Sequence, residues 1–416
     1  MVLSMAILWP ALAHAQGTWF ATNIPNSGRY DDVFFLGPDT GWAVGGSAGT
    51  IYKTTNGGGS WILQYNAPEY LRSIEFANDT LGFAGSLDHA LYKTTNGGGT
   101  WTDISTTIQP QPTGICGLSI PNAQTIYGCG IWSSPAYIIR SNDAGNTWIY
   151  SDMSAYALAL VDIHFPTPDT GFVTGTSINP VEGGIVLRTT NGGASWQTVH
   201  TTGVTSDIIW KIQVLDASHC FGSVYGVGLA LDTRMIRSSD GGLTWEGREV
   251  ADHYTYTEGM GFIDPLHGWV GGDAELFSTS DGGDTWVSTV MGALHNRFFR
   301  VNENTAYLSG QSIYKFSSDP NSIAPLSGPL QQHQLSASLS PDGGTLNISV
   351  DLLRTTIAVL EIRASDGRLI DRPLFDRHAS GAYHFSVKDF RSGPGVVLVI
   401  LSTNEGLISE RVIVTR

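Results

Sequence analysis

The sequence predicts an all-β protein: a seven-bladed β-propeller whose last blade is closed by an N-terminal strand, followed by a small Ig-like β-sandwich. Three observations carry this. A block ending in tryptophan, first seen as Thr54-Thr55-Asn56-Gly57-Gly58-Gly59-Ser60-Trp61, occurs six times, with its tryptophans 40 to 49 residues apart. A period in the forties suits a repeat of four strands. Between the copies, two apolar positions recur two residues apart, as strand alternation requires. The first is held by Val33, Ile74, Leu118, Ile163, Ile212, Met260 and Phe299, the second by Phe35, Phe76, Ile120, Phe165, Val214, Phe262 and Val301. The periodicity then stops at Asp319, and a differently patterned segment follows.

Each position of the block has a physical task. Asn56, Asn96, Asp143, Asn191, Asp240 and Asp281 can accept backbone hydrogen bonds within their own turn. The glycines supply positive φ, and the hydroxyls satisfy turn amides. Trp61, Trp101, Trp148, Trp196, Trp245 and Trp286 bury a large apolar surface beside the turn. The block resembles the Asp-box (BNR) repeat of sialidases, some endoglucanases, sortilin-type receptors and photosystem II stability/assembly factors. That resemblance places it on the turn between the third and fourth strands of a blade, away from the ligand face. It reads as a folding staple.

In chain order, residues 1–15 read as a signal peptide. Val2 to Leu12 is mostly apolar, and Ala13-His14-Ala15 is a small-x-small cleavage site. Residues 16–318 form the predicted propeller. Gly17-Thr18-Trp19 looks like the end of a repeat whose beginning is missing, in phase with Trp61. At the other end, Ser309 to Phe316 resembles the third strand of a repeat but no block follows. A seventh blade therefore takes its outer strand from 17–25 and its inner strands from about 296–318. Cys116 and Cys129 flank a hairpin turning at Pro121 to Gln124, and a symmetric hairpin sets them opposite each other on adjacent strands, which suits either a disulfide or two buried thiols. Cys220 is left over. No Cys/His spacing suits a metal, and no cofactor motif is present.

Residues 319–333, rich in Pro, Ser and Gln, are a linker. In 334–416, strands are expected at Leu335 to Leu339, Thr345 to Leu352, Ile357 to Arg363, Gly381 to Val387, Val396 to Ser402 and Glu410 to Val414. This segment resembles the C-terminal sorting domain of type IX secretion cargo, through Leu339-Ser340-Pro341, Leu346 to Val350, Asp366-Gly367-Arg368, Gly381-Ala382-Tyr383, Phe390 to Gly393 and Glu410 to Val414. The resemblance implies handling by outer-membrane secretion machinery and a secreted or cell-surface location, reached via the periplasm.

Net charge is −15. The segment from Gln334 holds nine residues of each sign, so the first 333 carry the whole excess, 13 basic against 28 acidic. Such a surface repels nucleic acid and anionic lipid. After the leader, no apolar run is long enough to be a transmembrane segment.

Function is expected where the repeats stop agreeing. The residue at the start of the innermost strand is Asp31, Arg72, Cys116, Val161, Trp210, Glu258 or Arg297, with Tyr30, Asp32, Asp162 and Lys211 beside it. Two readings remain open there. One is a closed ring of ion pairs. The other is a ligand-binding funnel formed by Tyr30, Asp31, Arg72, Trp210, Lys211, Glu258 and Arg297, with Trp210 as a stacking surface. If the protein were a glycoside hydrolase, its carboxylates would come from Asp31, Glu258 and Asp162. A sialidase would gather Arg72, Arg297 and Arg300 with Tyr30 and Glu258, but lacks its opening motif here. His164 reads as a core or channel residue.

Over residues 17–318, the Asp-Thr-Gly-Trp/Phe, Ile-Tyr-Lys-Thr-Thr and Asn-Gly-Gly-x-Ser/Thr-Trp blocks are similar to the photosystem II stability/assembly factor family. The resemblance implies a non-enzymatic, protein-binding propeller. The favoured expectation is an exported propeller that binds a protein or glycan through its funnel face. A secreted sialidase- or glucanase-like hydrolase, and a photosystem II assembly factor-like protein, are the alternatives.

Overall fold

The computed structural model describes residues 17–226, 232–273, 275–289, 291–318, 333–340, 344–353, 356–364, 369–388, 395–403 and 406–414. The expected leader, nearly all of the linker and residues 227–231 lie outside these residues. So do the Asp366-Gly367-Arg368 and Phe390 to Gly393 pieces.

Among the described residues up to Ser318 the chain forms seven four-stranded antiparallel sheets. Six are built from consecutive strands. Their innermost strands are Tyr30–Phe35, Leu71–Phe76, Gly117–Ser119, Ala157–His164, Asp207–Val214 and Gly259–Phe262, taken below as blades one to six. The seventh combines Phe298–Asn302, Thr305–Ser309 and Ile313–Ser317 with Thr18–Ala21. Thr18 pairs with Ser317 and Ala21 with Tyr314, so the N-terminal strand closes the ring as the sequence implied. Trp19 then packs edge-on against Trp269, with ring centroids 5.3 Å apart.

The blades adhere through aromatic stacks. Trp42 of blade one lies flat on Phe76 of blade two, Tyr127 on Phe165, Phe221 on Phe262 and Tyr307 on Phe35, each at 3.6 Å between centroids. The block tryptophan of the same blade meets that inner phenylalanine edge-on, as Trp101 meets Phe76 at 5.8 Å and Trp196 meets Phe165 at 6.0 Å. Stacked and T-shaped contacts are the favoured aromatic geometries. The glycine of the Asp-Thr-Gly segment is needed here. A Cβ on Gly171 would stand 2.4 Å from the Phe165 ring.

The block is a turn staple, as expected, between the third and fourth strands. In the first copy the Asn56 carboxamide oxygen accepts from the Ser60 amide (2.9 Å) and the Thr54 hydroxyl (3.0 Å). The Thr54 hydroxyl oxygen accepts from the Gly58 amide. Gly57 and Gly58 have φ of 64° and 89°, where side chains are strained. The block also binds its neighbour, which the sequence did not suggest. Lys53 of blade one donates to the Gly97 carbonyl of blade two, Arg140 to Gly192 and Arg237 to Gly282.

From Gln334 on, two antiparallel sheets enclose one core. The strand order is Gln334–Leu339, Thr345–Leu352, Gly381–Lys388 in one sheet and Leu369–His378, Thr356–Ala364, Gly395–Thr403, Gly406–Val414 in the other. Leu346, Ile348, Leu360, Ile362, Val399 and Leu401 fill the space between them. Six of these seven strands were expected. Leu369–His378 was not, because Pro373 and its charges argue against a strand. It is an edge strand, and its register slips where Pro373 falls, a position that tolerates proline and charge.

The hairpin at Pro121 to Gln124 corrects one detail. Gly117, not Cys116, stands opposite Cys129, a slip of one residue from the symmetric pairing. Neighbouring residues on a strand point to opposite faces. Cys116 and Cys129 are both buried free thiols, as is Cys220. Burial pushes the Cys129 thiol well above its ordinary pKa.

The stacks should dominate stability. Phe76→Ala is expected to cost about 3–5 kcal/mol. Ile62→Ala, on an outer strand at 64% exposure, should change stability by less than about 0.5 kcal/mol. Denaturant midpoints of the two variants measure the difference.

Candidate functional site

The innermost strands are bulged at the position where the repeats disagree. Register shifts fall on Asp31, Arg72, Val161 and Trp210. The same irregularity appears as doubled hydrogen bonding at Cys116, whose amide reaches both the Cys129 and Gly130 carbonyls. Glu258 N–H donates to Gly271, which already pairs with Gly259. A bulge re-aims a side chain that a regular strand would send into the blade interface. The ring is divided. Cys116, Val161 and Trp210 form an apolar arc with Ile208, packed by Leu87, Ile131 and Tyr225. Blades six, seven, one and two supply the charged arc of Glu258, Arg297, Asp31 and Arg72.

The charges are closed into pairs in two layers. In the upper layer Arg72 donates to Asp31, and Arg29 donates to Glu258 while lying 3.0 Å from Asp31. Asn296 adds a hydrogen bond to Asp31 at 2.8 Å. In the lower layer Arg297 of blade seven crosses the axis to Asp162 of blade four, with contacts of 2.7 and 3.1 Å, and touches Asp32 at 3.2 Å. Burial pushes the Asp162 carboxyl up, but Arg297 and Lys211 outweigh it and hold its pKa below the ordinary value. For Asp32, burial wins over the same cations and the pKa is raised. Burial lowers Lys211 to about 8, helped by Arg297. It raises Glu75 to about 8, so Glu75 carries a proton at neutral pH.

The same side chains latch blade to blade. Ile74 N–H donates to Asp32 (3.0 Å), Ile120 to Glu75 (3.0 Å), Phe165 to Ser119 (2.9 Å), Ile212 to Asp162 (2.9 Å) and Phe262 to Gln213 (2.7 Å).

Above this floor lies a cavity of about 550 Å³, lined by Arg29, Tyr70, Arg72, Leu87, Trp132, Ile208, Trp210, Tyr225, Tyr256 and Glu258. It opens on the face opposite the block turns, among the loops that enter the innermost strands. Trp132 stacks on Trp210 with centroids 6.1 Å apart, Tyr225 meets Trp210 at 5.4 Å, and Tyr256 meets Tyr225 at 4.9 Å. The Arg72 guanidinium lies 5.6 Å from the Trp210 ring centre, a cation–π contact. Trp210 is 5% exposed and Trp132 45%, so Trp132 is the open stacking surface.

Of the funnel residues named from sequence, Arg72, Trp210 and Glu258 line this cavity. Asp31 lies beneath it, fully buried. Lys211, Asp162 and Arg297 belong to the lower layer. Tyr30 is buried, its hydroxyl donating to the Pro25 carbonyl. The three arginines of the sialidase arrangement do not converge. Arg300 donates to the Ile263 carbonyl, and Arg297 is held by Asp162. His164 stands in the lower layer near Asp162, and burial lowers its pKa to about 4. Sequence reasoning missed Arg29, Tyr70, Leu87, Ile208, Tyr225 and Tyr256 as lining residues. Arg29, Tyr70 and Tyr256 stand just before innermost strands and Leu87 just after a second strand, where repeats cannot be aligned, while Ile208 lies at the start of an innermost strand and Tyr225 near the end of a second one. Among the described residues no group of His, Cys, Asp and Glu suits a metal ion, and no helix is long and apolar enough to cross a membrane.

Removing one partner of a buried pair strands the other. Asp31→Asn should therefore destabilise the propeller by about 3–5 kcal/mol in chemical denaturation. Unchanged stability would show that Arg72, 2% exposed, does not depend on this carboxylate.

The family described as Photosynthesis system II assembly factor YCF48 matches residues 11–151. No curated protein matches the chain. A solved structure of YCF48 bound to D1 peptide is 17% identical, covering 76% of this chain and 99% of its own at a TM-score of 0.54. YCF48 from Cyanidioschyzon merolae is 15% identical, covering 72% and 98%, at 0.56. The GH74 xyloglucanase from Xanthomonas campestris is 13% identical, covering 94% and 69%, at 0.56. At these identities the likeness is one of fold, and the chain is similar to the YCF48 family in sequence over residues 11–151.

Proposed function

We propose that this protein is a non-enzymatic binding propeller, exported from the cell, that takes a peptide segment of a partner protein into the aromatic pocket at its funnel face. The observation that carries this is the combination of an aromatic-walled pocket with a floor whose carboxylates are already engaged. Asp31 and Glu258 are held by Arg72 and Arg29, and Asp162 by Arg297. A glycosidase pair needs one carboxyl free to give a proton and one free to attack or activate water. Mostly apolar pockets with a few placed polar groups are suited to binding. The sequence similarity to YCF48, and the solved YCF48 structure with a peptide bound, support a peptide as the ligand.

The test is direct. An array of random synthetic peptides is probed with the full chain, alongside xyloglucan oligosaccharides and aryl-glycosides. Peptides should be retained, and Trp132→Ala should weaken retention at least tenfold, about 1.4 kcal/mol. Sugar turnover lost in Glu258→Gln would overturn the reading in favour of a hydrolase.

Export is the second part of the proposal. It rests on the leader-like residues 1–15 and on the likeness of 334–416 to a sorting domain. Expressed in a host with a type IX pathway, a chain lacking 334–416 should stay inside the cell. Its appearance in the medium would refute the sorting role.

A further inference from the structure

The floor of the pocket carries hydrogen-bond donors that no protein group accepts. Arg72 gives one N–H to Asp31, but its Nε and Nη2 have no hydrogen-bond partner among the described residues. The Glu258 carboxylate stands 3.8 Å from Nη2, beyond hydrogen-bond range. Trp210 Nε1 is likewise without a partner. Both residues line the pocket and are more than nine-tenths buried, Arg72 at 2% and Trp210 at 5% exposure. The guanidinium lies 5.6 Å from the Trp210 ring centre, so the two residues that carry the spare donors adjoin at the pocket floor.

The charge of that corner is already balanced. Arg29 and Arg72 face Asp31 and Glu258, two cations against two anions. A ligand carboxylate would bring a third anion against the same two guanidinium groups, in a site with little water to screen it. An uncharged acceptor takes the donors without that repulsion. The remaining lining is aromatic or aliphatic, with Tyr70, Leu87, Trp132, Ile208, Tyr225 and Tyr256 offering flat apolar surface.

We infer that the pocket selects an internal, uncharged stretch of peptide: an aromatic or large aliphatic side chain against Trp132 and Tyr256, with an adjacent carbonyl oxygen on Arg72 and Trp210 Nε1. Acidic side chains and free chain ends are selected against. This inference rests on the peptide-binding reading above and adds the chemistry of the ligand to it.

Two versions of one random-peptide array test it, one ending in free carboxylates and one in amides, each probed with the full chain and with Trp210→Phe. The variant keeps an aromatic ring and removes only the Nε1 donor, and its melting temperature reports whether the fold survives. Retained peptides should carry neutral aromatic or aliphatic cores. Amidation should leave retention unchanged or stronger, and Trp210→Phe should weaken it about tenfold at unchanged sequence preference. Enrichment of acidic peptides, loss of retention on amidation, or indifference to Trp210→Phe in a folded variant would overturn the inference while leaving peptide binding intact. Retention of no peptide, or of xyloglucan oligosaccharides instead, would overturn the peptide-binding reading itself.

Discussion

One guanidinium spans the axis of the ring. Arg297 leaves blade seven and meets Asp162 on blade four, touching Asp32 of blade one on the way. Innermost strands of a propeller converge on a column too narrow for seven large side chains, so what enters it must be either small or mutually satisfied. A buried ion pair adds little net stability, since desolvation offsets its attraction. Its effect is on uniqueness. Asp162 and Asp32 also accept the amides of Ile212 and Ile74, so the axial charge and the docking of adjacent blades are one network. A change at the axis is felt at blade boundaries.

The same closure makes a pocket out of a channel. With the lower layer plugged, the space above it has a floor, and the divided ring gives that floor two characters. The apolar arc of Cys116, Val161 and Trp210 continues into the aromatic wall, while the charged arc sets a neutral but donor-rich corner. Bulges at equivalent positions in blades one, two, four and five turn residues toward the axis that the repeat would otherwise spend on blade packing. The fold is thus uniform where it needs strength and irregular where a ligand can be read.

Much of this was legible in the sequence, for reasons that differ by residue. The block tryptophans served as a ruler because each occupies the same turn, and the ruler found Trp19 as the missing piece of blade seven. The inner-strand phenylalanines Phe35, Phe76, Phe165 and Phe262 were legible because stacking demands a flat ring at the same place in those four blades. Of the lining residues, Arg72, Trp210 and Glu258 were legible through the alignment of the innermost strands, but Tyr70 and Tyr256 were not, because they lie where loop lengths vary and no repeat constrains them. The cysteine register was off by one because a hairpin was assumed symmetric where Cys116 bulges. The edge strand with Pro373 escaped because its exclusion from strands holds for central positions and lapses at edges.

The closing contact also sets a clock. Thr18–Ala21 has no partner until Ile313–Ser317 has been made, so the ring cannot shut before nearly the whole propeller has left the ribosome. Contacts so distant in sequence are entropically late and slow folding. The four residues that complete the ring are then the ones that decide when six sheets in a row become a closed circle.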